Sequence, residues 1–204
     1  MQIAVEGMDG VGKTTIARHI SEKFGYEFIE KPLHYFYNDG AENNYADLMT
    51  VANRMYDVDD SFMRAWFFSL GNVYCTRVLK DKDIVIDRHL VSTYFWNGDE
   101  DSDPLFKCIV DYCGKPDLTI LLYATSATRM KRLAKRNAND PDLLDDDKKV
   151  DGYEKMINFL DRFDLPYVVV DTNNKTLEEV KDEVDIIMSN FRKKGNSYLK
   201  KYEA

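Results

Sequence analysis

The sequence predicts a doubly wound α/β fold, with five parallel strands in one sheet, helices on both faces, and a single domain over residues 1–204. Three observations carry this expectation. Short apolar runs of strand length alternate with longer stretches of helical period. The last three runs are apolar almost without interruption, as strands covered on both faces require. The first run opens directly into a glycine-rich turn and then a helix.

In chain order the strands are expected at Gln2–Glu6, Glu27–Glu30, Ile84–Asp87, Leu118–Tyr123 and Tyr167–Asp171. Helical stretches lie between them at Lys13–Phe24, about Asn44–Val58, about Ser61–Lys80, about Pro104–Cys113, about Ala127–Asn137 and Val150–Phe163. A last helix follows Thr176, where Thr-Leu-Glu-Glu forms a capping box with Glu179 at the third helical position. Asn97–Pro104 reads as a solvated acidic surface loop. Asn137–Asp142 follows a basic helix and precedes the acidic run Asp145–Asp147, so it reads as a mobile flap. Arg192–Gly195 and Lys200-Lys201 read as a frayed basic tail. Ligands of such sheets sit beyond the carboxyl ends of the strands, which directs attention to Glu6, Glu30 and Asp87.

Composition bounds the chemistry. The 204 residues are 44% hydrophobic with a mean hydropathy of −0.48, enough for one substantial core. No apolar run reaches the roughly 18–20 residues of a membrane span. The chain runs straight into the first strand, leaving no room for a secretory signal, so a cytoplasmic protein is expected. A net charge of −8 argues against a general nucleic-acid coat and leaves a small molecule as partner. Cys75, Cys108 and Cys113 lack the spacing of a metal site or redox pair and read as free thiols.

Gly7-x-x-x-x-Gly12-Lys13-Thr14 fits the phosphate-binding pattern G-x-x-x-x-G-K-[ST]. Glycines let the backbone curl so that successive N–H groups of Gly7, Asp9, Gly10, Val11, Gly12, Lys13, Thr14 and Thr15 converge, and the helix N-terminus adds positive partial charge. Lys13 then reaches the β/γ-phosphates of ATP, and the Thr14 hydroxyl ligates Mg²⁺. The buried strand Ile84–Asp87 ends in Asp87-Arg88-His89. An acid there can hold the water shell of Mg²⁺ or orient an acceptor hydroxyl, and Arg88 can clamp a phosphate. The competing reading makes Asp87 a helix cap paired with a surface Arg88, and His89 a packing residue.

These stretches resemble the thymidylate kinase family of P-loop nucleotide kinases. Glu6–Thr15 is similar to its E-G-x-D-G-x-G-K-[ST]-T, Asp87–Ser92 to D-R-Y-x-x-S, and Pro116–Thr119 to P-D-L-T. Arg132–Arg136 resembles the lid helix R-x-x-x-R, and Asp171–Val180 the last strand and helix start. The resemblance implies that Asp9 lies near the sugar 3′-hydroxyl of a nucleoside monophosphate and that Phe68 stacks on its base. It also implies that Arg88 grips the acceptor phosphate and that Arg132 and Arg136, in a lid of about residues 132–150, fold over the donor phosphates. Asn174, with Asn173 and Lys175, would lie along the donor adenine. Core packing for Phe68 and a solvated face for the two arginines remain the alternatives. A two-fold dimer through Ser61–Leu79 is a further implication of the resemblance.

Departures from the family pattern matter equally. Asn72 stands where the family has a base-reading arginine, and Glu30-Lys31-Pro32 replaces R-E-P. Asp142-Leu143-Leu144-Asp145 lacks the arginine of the second lid motif, and Phe95-Trp96 are larger than the family residues, reshaping the acceptor pocket. Three readings stay open. One is a thymidylate-kinase-like monophosphate kinase. Another is a deoxynucleoside kinase with Glu30 as base, and the third is a nucleotide-binding module without transfer.

Overall fold

The computed structural model of the protein describes residues 1–37, 44–137 and 152–198. All five strands form with the expected bounds: β1 (Gln2–Glu6), β2 (Glu27–Glu30), β3 (Ile84–Asp87), β4 (Leu118–Tyr123) and β5 (Tyr167–Asp171). They pair in parallel, in the order β2-β3-β1-β4-β5. Every residue of β1 and β3 is buried, and their polar residues, Gln2, Glu6 and Asp87, stand only at the strand ends. Register aligns Val5, Asp87 and Glu30, so β1, β3 and β2 end at one edge.

The helices are α1 (Lys13–Phe24), α2 (Pro32–Tyr37), α3 (Asn44–Tyr56), α4 (Ser61–Val78), α5 (Leu90–Asn97), α6 (Asp103–Cys108), α7 (Ser126–Arg136), α8 (Tyr153–Arg162) and α9 (Leu177–Lys194). α1 packs on β1, β2 and β3 and against α9, whereas α4 packs on α2 and α5, and α5 on α8. Gln2 ties α4 to the sheet by donating from Nε2 to the carbonyls of Cys75 and Leu79 at 2.8 and 3.2 Å. The capping box at Thr176 forms as expected, with Glu179 accepting from the Thr176 N–H at 2.7 Å.

Three expectations need correction. The stretch Pro104–Cys113 is not one regular helix: α6 passes into a π-helical turn at Ile109–Cys113, closed by Gly114 N–H donating to the Ile109 carbonyl at 3.0 Å. The acidic segment Asn97–Pro104 is built, not merely solvated, because Asp99 caps a 3₁₀ turn at Glu100–Ser102 and accepts from the Ser61 hydroxyl at 2.6 Å. Helices α2 and α5 were not foreseen. The flap and lid stretches from Ala138 to Asp151, including Asp142–Asp145 and Asp145–Asp147, lie outside the described residues, as do Lys200-Lys201.

Gly71 marks where α2 meets α4. A Cβ there would lie 2.2 Å from the Leu33 nitrogen. Gly71→Ala in an exposed helix would gain about 1 kcal/mol. Here it is expected to lose about 1–3 kcal/mol through overpacking, read as a lower urea midpoint at unchanged m-value.

Candidate active site

The glycine turn after β1 takes the shape its sequence demands. Gly7, Gly10 and Gly12 adopt φ of 135°, 85° and 104°, a region that side chains with a Cβ avoid. Gly7 presses on β4, where a Cβ would meet the Leu122 carbonyl at 2.4 Å. Gly10 presses on α7, where a Cβ would lie 2.9 Å from the Arg129 carbonyl. Val11 is buried, Thr14 half-buried and Thr15 exposed at the first turn of α1. The loop is thus a rigid cradle that leaves the N-terminus of α1 open to an anion.

Lys13 is almost fully buried, and its Nζ donates to the Met8 carbonyl at 3.0 Å and pairs with Asp9 at 3.3 Å. Burial, and then the nearby Arg88 charge, push its pKa down to about 8 against the pull of Asp9 and Asp87. Asp9 accepts from Arg88 as well. Thr14 donates its hydroxyl to Asp87 Oδ2, while Asp87 Oδ1 is buried without a hydrogen-bond partner. Asp87 is therefore no helix cap, and Arg88 is no surface ion pair: both face the phosphate loop.

Arg88 sits at a left-handed φ of 72°, strained for a residue with a Cβ. Its N–H still bonds the Val5 carbonyl at 3.1 Å, so the chain leaves the sheet only after this residue. Burial opposes the guanidinium charge, but Asp9 and Asp87 hold its pKa above the ordinary value. What turns the chain here is Glu6. Its buried carboxylate accepts the N–H groups of His89, Val91 and Ser92 at 2.7, 3.0 and 3.2 Å, and the Ser92 hydroxyl. Glu6 thereby caps α5 and positions Arg88, a role its place in the sequence signalled only as a strand end.

Beyond Arg88 opens a cavity of about 490 Å³ between α2, α3, α4 and α5. Phe68, Asn72, Arg88 and Trp96 line it together with Lys31, Tyr56, His89, Thr93 and Asn97. Phe68 is not simple core: it is half-buried and stacks on Tyr56, with ring centroids 4.8 Å apart. Phe95 does not line this cavity and instead packs against Gly152. Glu30 is turned to the surface, where its carboxylate accepts from Arg18 at 3.3 Å, and it is not among the lining residues. His89 is buried, and desolvation pushes its imidazole down to about 3, so it is neutral.

On the α7 side of the loop, Arg132 donates to the Thr172 carbonyl at 2.6 Å and to its hydroxyl at 2.9 Å, with the Val11 carbonyl at 3.5 Å. It lies between the phosphate loop and the turn after β5, where Asn174 takes a φ of 52°. Arg136 ends α7 on an exposed face. The basic helix also carries a residue that its composition hid: Arg129, 1% exposed, donates to the Asp9 carbonyl at 3.2 Å.

A family profile for thymidylate kinase matches residues 5–184, which contain all of these elements except the start of β1 and the end of α9. The chain belongs to the thymidylate kinase family. Similar curated members are a probable thymidylate kinase of Archaeoglobus fulgidus, 30% identical over 94% of this chain and 96% of its own, and one of Methanococcus maripaludis, 27% identical over 89% and 92%. A putative adenylate kinase of Thermococcus kodakarensis is 30% identical over 90% and 83%. Among solved structures, deoxyadenosine kinase from M. mycoides, with products dCMP and a flexible dCDP bound, shares the fold at a TM-score of 0.61. It is 23% identical and the match covers 95% of this chain and all of that one. This thymidylate kinase family member is a nucleotide kinase, and ATP is the donor its family implies.

Within this kinase, Lys31, Tyr56 and Arg129 joined the site only through tertiary contacts. Lys13 makes the family's loop sensitive to pH in a defined sense. Its folded pKa of about 8 lies below the ordinary 10.5, so between these values the unfolded chain keeps a proton the folded one has lost. Stability of the ligand-free protein is expected to rise with pH across this window, by up to about 1.4 kcal/mol per unit. Lys13→Met should abolish that rise and raise stability below pH ~8, as read by urea titrations at several pH values.

Proposed function

We propose that this protein transfers the γ-phosphoryl group of ATP to the 5′-phosphate of a deoxynucleoside monophosphate, in the manner of a thymidylate kinase. One observation carries this reading. The cavity next to the phosphate loop is lined by two cations, Arg88 and Lys31, and by no Asp or Glu among the described residues. An incoming phosphate is already ionised and needs cations. A nucleoside hydroxyl needs a carboxylate within hydrogen-bond distance, and the Glu30 carboxylate is engaged by Arg18 instead.

In this reading the new bond forms between an acceptor phosphate oxygen and the γ-phosphorus, while the bond to the β,γ-bridging oxygen breaks and ADP leaves. The cradle from Gly7 to Thr15 and Lys13 hold the donor phosphates, and Arg88 clamps the acceptor in line. Asp9 fixes the Arg88 guanidinium and sits where the sugar 3′-hydroxyl would lie. Arg132 and Arg136 bring charge from the lid, proposed at about residues 132–150 of one domain spanning 1–204. Phe68 supports the base. The loop glycines carry no cation between them, so charge developing in the transition state must be met from Arg88 and the lid.

Magnesium fits the site. The Thr14 hydroxyl and the buried, half-satisfied Asp87 carboxylate are hard oxygen donors side by side, and Mg²⁺ takes few protein ligands beside phosphates and waters. When bound it would neutralise charge on the β- and γ-oxygens. The charge of −8 supports a small-molecule acceptor over nucleic acid, and three free thiols support a cytoplasmic setting. We place a second copy of the chain on the exposed apolar face of α4, formed by Phe62, Met63, Trp66 and Leu70.

In ADP-release assays with deoxynucleoside monophosphates, Arg88→Ala is expected to lower kcat/KM by about 10²-fold or more. Glu30→Gln should stay within about threefold of wild type, because no proton needs removal. A near-total loss in Glu30→Gln, with ATP binding intact, would instead establish a nucleoside kinase. Trp66→Glu should shift sedimentation velocity from dimer to monomer if α4 is the two-fold face.

A further inference from the structure

The wall of the acceptor cavity formed by α4 and α5 contains polar atoms that the protein itself leaves unsatisfied. Asn72 on α4 is 2% exposed, and its Nδ2 donates to Thr93 Oγ1 on α5 at 2.8 Å. Thr93 spends its single hydroxyl proton on the His89 carbonyl at 3.1 Å. Thr93 Oγ1 can therefore only accept from Asn72, and the amide orientation is set by the network. Asn72 Oδ1 is left on the other arm with no protein partner among the described residues. Asn97, one helical turn after Thr93 on the same face of α5, has a buried Oδ1 without a partner, and the buried His89 ring lies against the Asn72 backbone carbonyl. All three residues line the cavity.

Buried polar atoms without partners cost free energy unless a ligand or water meets them. Their chemistry here is uneven. Asn72 and Asn97 present acceptors, and the two cations of the cavity are elsewhere: Arg88 is tied to Asp9 beside the phosphate loop, and Lys31 leaves the end of β2. Among the described residues that line the cavity, no further Lys or Arg stands at the Asn72 end. A base carbonyl brought against Asn72 Oδ1 would set lone pair against lone pair. The N3–H of thymine or uracil could donate to it, but the carbonyls on both sides of that group would then lie against the same acceptor-rich wall. An exocyclic amine offers two donors to this wall, and the ring nitrogen beside it brings no second carbonyl against the asparagine oxygens.

We propose that Asn72 makes this cavity select a nucleoside monophosphate whose base carries, on its Watson–Crick edge, an exocyclic amine beside a ring acceptor, namely cytosine or adenine, over thymine, uracil and guanine, whose ring nitrogen on that edge is a donor. This rests on the monophosphate-kinase reading above and adds the base to it. Sites built to meet a specific hydrogen-bonding group discriminate far more strongly than sites that merely enclose it.

Isothermal titration of the full chain with dCMP, dAMP, dTMP, dUMP and dGMP decides it without requiring turnover. Expected are dissociation constants for dCMP or dAMP at least about tenfold below the other three. Equal or tighter binding of dTMP, dUMP or dGMP overturns the proposal. Asn72→Asp retains acceptor oxygens and should keep the order, whereas Asn72→Leu should compress the preference to within about twofold. A preference that survives in folded Asn72→Leu places the reader elsewhere and overturns the assignment to Asn72. If Asn72→Leu does not fold, the wild-type series and Asn72→Asp still decide. ADP release assayed on the same panel separates the two claims. The expected binding order without ADP formation sinks phosphoryl transfer and leaves the base reader standing. Efficient turnover led by dTMP does the reverse. Absence of binding by all five overturns both.

Discussion

A buried carboxylate at the end of the first strand holds the two halves of the site in register. Glu6 has no water to solvate it, and burial pushes its pKa up against the hydrogen bonds it accepts from Ser92 and His89. Those hydrogen bonds satisfy the first turn of α5, whose orphan N–H groups no local side chain caps. A carboxylate at a helix N-terminus is favourable on both counts, dipole and hydrogen bonding. The consequence is geometric. The strand that feeds the phosphate loop also fixes the helix that walls the acceptor cavity, and the chain between them must pass through the strained backbone at Arg88. Strain of about 1–3 kcal/mol survives only where surrounding contacts over-determine it, and the Glu6 cluster supplies them.

Charge in the site is arranged before any ligand binds. Lys13 and Arg88 share Asp9, Thr14 and Asp87 are paired, and Arg129 holds the Asp9 carbonyl from the opposite side. Fixed cations need no reorganisation during transfer, which is where such sites gain their rate. The cost appears in Lys13, whose charged form is disfavoured by burial and by Arg88. A polyphosphate would relieve that repulsion, so ligand binding and local stability are coupled. Arg129 also joins α7 to the loop through Gly10, so the loop is braced on one side by this helix.

How legible this was depended on how far apart the cooperating residues lie. The five strands could be read at the residue level because each is a compact apolar run with polar ends. The phosphate loop was legible because all of its parts fall within nine residues. The capping box at Thr176 was legible for the same reason. Helix α5 was not: Leu-Val-Ser-Thr-Tyr-Phe-Trp-Asn is rich in branched and aromatic residues and has no local cap. Helix α2 left one usable signal, a proline at its first position. The stacking of Tyr56 on Phe68 and the burial of Arg129 left none, since each depends on how separate helices meet.

By itself the sequence determined the parallel sheet, the anion cradle at Gly7–Thr15 and the pairing of that cradle with Asp87-Arg88, because strand period and turn chemistry are local properties of the chain. Only the tertiary structure decided what lines the cavity beside Arg88. It turned Glu30 out to Arg18, brought Lys31 to the cavity wall, made Tyr56 a neighbour of Phe68 and fixed the amide of Asn72. The reason is that a side chain's direction and its spare hydrogen-bonding capacity depend on neighbours from other elements. Thr93 and His89, 21 and 17 residues away from Asn72 in the sequence, set which of its two arms remains free.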